Sequence, residues 1–212
     1  ILGSLSKGEL TISNFLTSDD CNATINAMRE LGVDISINGN QVHIKGKGLF
    51  SLKKPKRIID AGNSGTLIRL LTGVLAVQDF DSVITGDDSL KKRPMGRIIK
   101  PLISCGAKIE ANEHKAPLSI YGSTSLTPID YYQDVASAQV KSCLILSALH
   151  ISGQSTFHEE IETRDHTENL LEHLSYKINR ENKFLSLNGK QKLIAKDIFI
   201  GSDISSAAFF IV

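Results

Sequence analysis

The sequence predicts an α/β (α+β) protein built from one unit repeated three times. Three observations carry this. A run of strand, amphipathic helix, strand, strand occurs three times along the 212 residues. Between its copies lie two segments that are apolar on nearly every helical face. The composition, 41% hydrophobic and 22% charged, belongs to a globular chain long enough to bury a sizeable core. Disorder and fibrous repeats are excluded.

The first copy reads ELTISNF (9–15), SDDCNATINAMRELG (18–32), VDISI (33–37) and QVHIKG (41–46). The second reads DSVITG (81–86), SLKKRPMGRIIKPLISCGA (89–107), KIEA (108–111) and PLSIYG (117–122). The third reads STFHEE (155–160), TRDHTENLLEHLS (163–175), YKINRE (176–181) and KFLSLNG (183–189). Apolar residues recur at helical spacing in each helix: Ile25, Met28 and Leu31; Ile98, Ile99 and Leu102; Leu170, Leu171 and Leu174. Each copy closes on a glycine, Gly46, Gly122 or Gly189.

The segments between copies, NSGTLIRLLTGVLAVQ (63–78) and SAQVKSCLILSALHIS (137–152), predict helices buried all round. Adding them gives a unit of buried helix, strand, amphipathic helix and two strands, about 70 residues long. The start of the chain (1–12) aligns with 147–157, with Gly8 matching Gly153. It is therefore expected to form the last turns of a further buried helix. SDISSAAFFIV (202–212) is expected to cap and begin another. On this pattern the chain is a segment of a longer polypeptide: residues 1–200 one domain of three units, 201–212 the start of a second.

Lys plus Arg is 24, Asp plus Glu is 23, and the net charge is +1. That balance recommends neither nucleic acid nor an anionic membrane as partner, so anion recognition must be local. With no Trp and 6% aromatic residues, a base-stacking platform is not expected. Cys21, Cys105 and Cys143 form no metal spacing and no disulfide framework, which fits a reducing, cytoplasmic setting. The first ten residues lack signal-peptide features, and the most apolar stretch, 67–77, is too short to span a bilayer.

Candidate chemistry lies at three helix starts, where free N–H groups and the helix dipole suit phosphate or carboxylate. They are Gly62-Asn63-Ser64-Gly65-Thr66, Ala136-Ser137-Ala138-Gln139 and Gly201-Ser202-Asp203. Helix capping explains Asn63, Ser137 and Asp203 equally well. Lys91, Lys92, Arg93, Arg97 and Lys100 form a cationic run that reads either as a solvated face or as a site. Arg93 stands out: Pro94 suits a first helical turn, which leaves Arg93 at the helix mouth to grip a carboxylate. Arg164 holds the matching place in the third copy and Asp19 in the first. Asp165 is a candidate cap there, with Glu168 at capping-box spacing. Arg69 and Lys141, inside buried helices, must each pair or touch a ligand; Asp60 is the expected partner of Arg69. The histidines show no metal-binding spacing.

DAGNSGTLIRLL (60–71), GDDSLKKRPMGRIIKPL (86–102), ASAQVKSCLILSAL (136–149), ETRDHTENLLEHL (162–174) and GSDISSAAFF (201–210) together resemble the 3-phosphoshikimate 1-carboxyvinyltransferase (EPSP synthase) family. The resemblance runs across the whole chain. It implies transfer of the enolpyruvyl group of phosphoenolpyruvate to shikimate 3-phosphate, through a tetrahedral intermediate and without metal or organic cofactor. It implies a monomer of two domains, each of three βαβαββ units with parallel buried helices, closing on substrate. On it, Gly65 lies against phosphoenolpyruvate and Asn63 shapes the loop. Arg93 binds phosphoenolpyruvate. Ser137, Ala138 and Gln139 hold shikimate 3-phosphate, Gln139 reaching both substrates, and Arg164 with Thr163 adds to the phosphate site.

Two positions depart from some members of the family. Ala138 replaces a second Ser, and Leu70 replaces a Pro in a neighbourhood that influences response to the herbicide glyphosate. A Lys-Ser and Arg motif is expected before Ile1. A second domain carrying the proton-transfer groups is expected after Val212. The chain alone is therefore expected to hold about half an active site and to be inactive. The related transfer to UDP-N-acetylglucosamine is the alternative enzyme, although its reactive-cysteine loop is not evident. A non-catalytic domain that binds a phosphorylated metabolite is the alternative from another class.

Overall fold

A computed structural model describes residues 1–201. The expected helix start at 202–212, with the Asp203 cap, lies outside the described residues. The chain runs α1 (Leu2–Leu5), β1 (Lys7–Ser13), α2 (Asp19–Glu30), β2 (Asp34–Asn38), β3 (Gln41–Lys47), β4 (Ile59–Asp60), α3 (Gly65–Leu75), β5 (Ser82–Thr85) and α4 (Gly96–Ser104). It continues as β6 (Lys108–Glu110), β7 (Leu118–Tyr121), β8 (Asp130–Tyr132), α5 (Ala138–Ala148), β9 (Gln154–His158), α6 (His166–His173), β10 (Ile178–Glu181), β11 (Phe184–Asn188) and β12 (Ile198–Phe199).

The strands form three four-stranded sheets of one design, ordered β12-β1-β3-β2, β4-β5-β7-β6 and β8-β9-β11-β10. In each, the first pair is parallel and the others are antiparallel. The second and third sheets are continuous βαβαββ units, β4 to β7 and β8 to β11. The first is completed by β12, which comes from the far end of the described chain and places Ile198 beside Ile12. The strands β4, β8 and β12 were not legible in the residue pattern. They span two or three residues, too short to show a period of two.

All four residues of α1 are buried, as expected of the end of an inner helix. Gly8 and Gly153 both take positive φ, +123° and +105°, so the matched ends are equivalent in conformation. Along α3, Leu67, Ile68, Leu71, Val74 and Leu75 are buried, and α5 is buried without a break from Val140 to Ala148. These helices cross closely. A Cβ on Gly73 would strike the Cys143 carbonyl, and Ser147 Oγ donates to Gly73 O at 2.9 Å.

Two amphipathic helices start later than the sequence pattern suggests. The run 89–107 gives a single 3-10 turn at Leu90–Lys92 and a helix only from Gly96. Arg93, before Pro94, is driven to extended backbone (φ −76°, ψ 135°). It therefore lies on an arm before α4 and not in its first turn. Likewise α6 starts at His166, so Thr163 and Arg164 precede it. Asp165 stands at its N-cap position without a side-chain cap bond. Glu168 closes no capping box, because its carboxylate is turned inward to Lys141.

The closing glycines share one cause. A Cβ on Gly46, Gly122 or Gly189 would collide with carbonyl oxygens at the end of an inner helix: Ser6 and Gly3, Phe80 and Gln78, Ile151 and Ala148. Gly122→Ala and Gly189→Ala are each expected to lower unfolding free energy by about 2 kcal/mol or more in chemical denaturation, as overpacking against backbone does. Gly96→Ala, whose added methyl meets only ordinary contacts with His114, should change it by less than about 1 kcal/mol. Equal effects at all three would refute this account.

Candidate functional site

The start of α3 is set by a compact turn. Gly62 takes φ +56° and its N–H donates to Asp60 Oδ1 at 2.8 Å. Ser64, not Asn63, caps the helix, accepting from Leu67 N–H at 3.2 Å. Asn63 is thereby free to reach outward. Its amide donates to Asp87 Oδ2 at 2.7 Å, and its carbonyl accepts from Arg93 Nη2 at 2.6 Å. Asp87 also accepts from Leu90 N–H at 2.7 Å. The Asn63 bond, then that backbone N–H, hold the Asp87 carboxyl below the usual carboxylate range. The line Asp87–Asn63–Arg93 fixes a guanidinium over the mouth of α3.

Arg69 is aimed at the same place. It does not pair with Asp60. Its Nη1 donates to Gly65 O at 3.1 Å and to Gln139 Oε1 at 3.2 Å, and Nη2 to Pro94 O at 3.4 Å. Gln139 completes the link, donating from Nε2 to Thr66 Oγ1 at 2.8 Å. Arg69 thus joins the α3 turn, the arm before α4 and the start of α5. Desolvation first, then the positive charges of Arg93 and Arg97, push its guanidinium below the usual arginine value.

Gly65 is where the two cations converge. Arg93 Nη1 and Arg69 Nη1 lie 2.8 and 2.9 Å from the point a Cβ would occupy. A Cβ there would push both guanidinium groups aside, so glycine leaves the space in which they meet. Neither guanidinium meets a carboxylate among the described residues; their partners are carbonyl and amide oxygens. Two cations satisfied only by neutral acceptors, at an open helix start, favour an anion between them.

At α5, Ser137 is the N-cap and accepts from Val140 N–H at 3.4 Å. Its hydroxyl proton has no acceptor among the described residues. Ala138 opens the helix with a methyl group, so only its backbone N–H offers a polar contact. Thr163 gives its hydroxyl proton to Glu159 Oε1 at 2.6 Å. Arg164 is exposed and makes no side-chain hydrogen bond or ion pair among the described residues. The structure thus bonds Asn63 to Arg93 and joins Gly65 to Gln139 through Arg69, and both guanidinium groups meet at Gly65. Ser137 and Ala138 stand on the same helix as Gln139, and Thr163 and Arg164 sit on a neighbouring loop with no direct bond to the cluster. A groove of about 600 Å³ runs beside the site, lined by Pro94, Arg97, Lys100, Tyr131 and Val140.

The sequence pattern misses Asp87 and Glu159, and it places Thr66 and Glu168 without their partners Gln139 and Lys141. Each acts through a partner at least 18 residues away, and no local spacing announces such a pair. Cys143 is enclosed in α5, and burial pushes its thiol up to about 12, far from a nucleophile's range.

The family model for EPSP synthase (3-phosphoshikimate 1-carboxyvinyltransferase) matches residues 1–212. The chain belongs to the EPSP synthase family. The 3-phosphoshikimate 1-carboxyvinyltransferase of Ruthia magnifica subsp. Calyptogena magnifica is 50% identical over 212 residues, covering 100% of this chain and 49% of that one. The protein of the same name from Bacillus cereus strain G9842 is 46% identical over 214 residues, 50% of its length. A solved EPSP synthase from Acinetobacter baumannii superposes with a TM-score of 0.94 at 44% identity, covering 99% of this chain and 48% of that one. The chain spans about half the length of the curated relatives it matches. Among the described residues, no helix is long and apolar enough to cross a membrane.

Within this EPSP synthase fold, the cap made by Ser137 can be tested separately from the anion contact expected of it. Ser137→Asp keeps a good cap and is expected to alter stability by less than about 0.5 kcal/mol, while repelling an anion. Ser137→Ala should lose about 1 kcal/mol of stability. Denaturant titration and phosphate binding measured on the same samples check both. If Ser137→Asp keeps full anion affinity, no anion sits at the α5 start.

Proposed function

We propose that this segment supplies the shikimate 3-phosphate-binding part of an enzyme that transfers the enolpyruvyl group of phosphoenolpyruvate to shikimate 3-phosphate, releasing phosphate. The observation that carries the reading is the convergence of Arg69 and Arg93 on Gly65 with no carboxylate between them. Membership of the EPSP synthase family supplies the substrates.

The residues divide the work between two anions. Arg93, held by Asn63, and the N–H groups at the start of α3 take phosphoenolpyruvate. Gly65 lets it approach the backbone. The Ser137 hydroxyl and the N–H groups of Ala138 and Gln139 take the phosphate of shikimate 3-phosphate, and Arg164, next to Thr163, adds its charge. Gln139 is tied to Arg69 and Thr66, so it stands where both substrates meet. Fixed cations and helix dipoles of this kind stabilise charge in the addition intermediate without reorganising. The reading places the protein in the cytoplasm as a monomer, and leaves proton transfer to groups outside the described residues.

Calorimetric titration tests it. The chain should bind shikimate 3-phosphate in preference to UDP-N-acetylglucosamine and inorganic phosphate. Arg164→Ala should weaken that binding about tenfold or more, as loss of a charge-assisted hydrogen bond does. Arg93→Ala should leave shikimate 3-phosphate binding nearly intact and abolish the effect of added phosphoenolpyruvate. Preference for the nucleotide sugar, or no response to Arg164→Ala, would reject the reading. The chain alone should show no turnover.

A further inference from the structure

Lys141 on α5 is 2% exposed at its side chain. Its ammonium meets Glu168 Oε1 of α6 at 2.6 Å and Glu159 Oε2 after β9 at 3.0 Å. Those carboxylate side chains are 4% and 16% exposed. Beside them, Ser142 Oγ, next after Lys141, and Thr167 Oγ1, just before Glu168, lie 2.6 Å apart. The second oxygen of Glu159 accepts from Thr163 N–H at 3.3 Å and from Thr163 Oγ1 at 2.6 Å. Arg164 follows directly.

Stability is a poor reason for this cluster. Apolar side chains of similar volume hold two helices together as well as a buried ion pair, or better. Here two carboxylates share one ammonium, and Glu168 Oε2 is buried with no hydrogen-bond partner. The cluster does something an apolar contact does not: it fixes the loop 159–164 in register with the start of α5, hydrogen bond by hydrogen bond. Lys141 lies one turn beyond the Ser137 cap.

We propose that Lys141, acting through Glu159, is a positioning residue that sets Arg164 against the anion site at the α5 start. Glu168 anchors the far side of the ammonium. Thr163 belongs to this brace: its hydroxyl proton is committed to Glu159, so it steers Arg164 and does not donate to phosphate. The proposal rests on the reading of Arg164 as a ligand of shikimate 3-phosphate.

Steady-state kinetics of the full-length protein test it, with melting temperature followed for each variant. Glu159→Gln leaves one acceptor oxygen where two are used, so an amide N–H faces either the ammonium or the Thr163 N–H and the brace breaks. It should raise KM for shikimate 3-phosphate about tenfold, leaving KM for phosphoenolpyruvate and kcat within about twofold. Thr163→Val leaves the buried trio untouched and should act in the same direction, whereas Thr163→Ser should restore wild-type values. The Val and Ser pair decides the matter even if Glu159→Gln fails to fold. If Arg164→Ala raises KM for shikimate 3-phosphate but Thr163→Val does not, the brace is overturned while the site stands. If Thr163→Val raises both KM values together with a fall in melting temperature, the cluster is a general stabiliser and the proposal fails. If Arg164→Ala itself has no effect, the site reading fails and the brace with it.

Discussion

A helix buried on every side can offer only its ends to water, and α3 and α5 live under that constraint. Their flanks pack against each other and against the sheets, with Gly73 admitting the Cys143 carbonyl at the crossing. Every unpaired N–H group they own is therefore gathered at their starts, where the chain arrives from a short parallel strand. Gly122 and Gly189 mark the opposite ends, where no Cβ fits against the last carbonyls. Because α3 and α5 occupy the same place in their units, and Arg69 and Gln139 bond their first turns together, the two starts open side by side. The proposed anion site is a consequence of the packing before it is a choice of side chains.

Lys141, Arg69 and Arg93 differ in what satisfies their charge. Lys141 is buried and meets two carboxylates, as a charge removed from water must. Arg69 is half-buried, is crowded by Arg93 and Arg97, and bonds only to neutral oxygens. Arg93 is held by an amide carbonyl at 2.6 Å. The anion behind it, Asp87, touches Asn63 and not the guanidinium, so it orients Arg93 without neutralising it. An ion pair in that position would have competed with any anionic ligand. The amide between them is the device that avoids this.

Much of this was legible in the residues. Helices of ten or so residues with a strong apolar period announce themselves, and the threefold recurrence placed Arg93 and Arg164 in equivalent slots. The parallel strands β4, β8 and β12 were invisible because two or three residues carry no period. Pro94 suits a helix start, but its effect on the preceding residue is stronger and draws Arg93 into an extended arm. Glu168 has capping-box spacing, but its carboxylate turns inward to the buried ammonium of Lys141, a charge-assisted contact stronger than a local cap. Arg69 was ambiguous for a related reason. Sequence shows that a buried arginine needs a partner, and only the fold shows that Gln139, 70 positions away, supplies one.

The repeat also puts Arg93 and Arg164 in equivalent slots that are wired differently. Arg93 leaves β5 and Arg164 leaves β9, each on the segment before an amphipathic helix. In the first unit the same slot holds Asp19, which begins α2 and simply complements its dipole. Duplication thus provides the position and not the function. For a cation in that slot to serve a ligand, a neighbour must hold its backbone or its head group without taking its charge. In the second unit Asn63 does this at the guanidinium, with Asp87 behind it. In the third, Glu159 holds the residue before Arg164 and has its own charge taken up by Lys141 from inside the core. In both, an acid holds the arginine's segment without bonding its guanidinium: Asp87 through the Asn63 amide, Glu159 through Thr163.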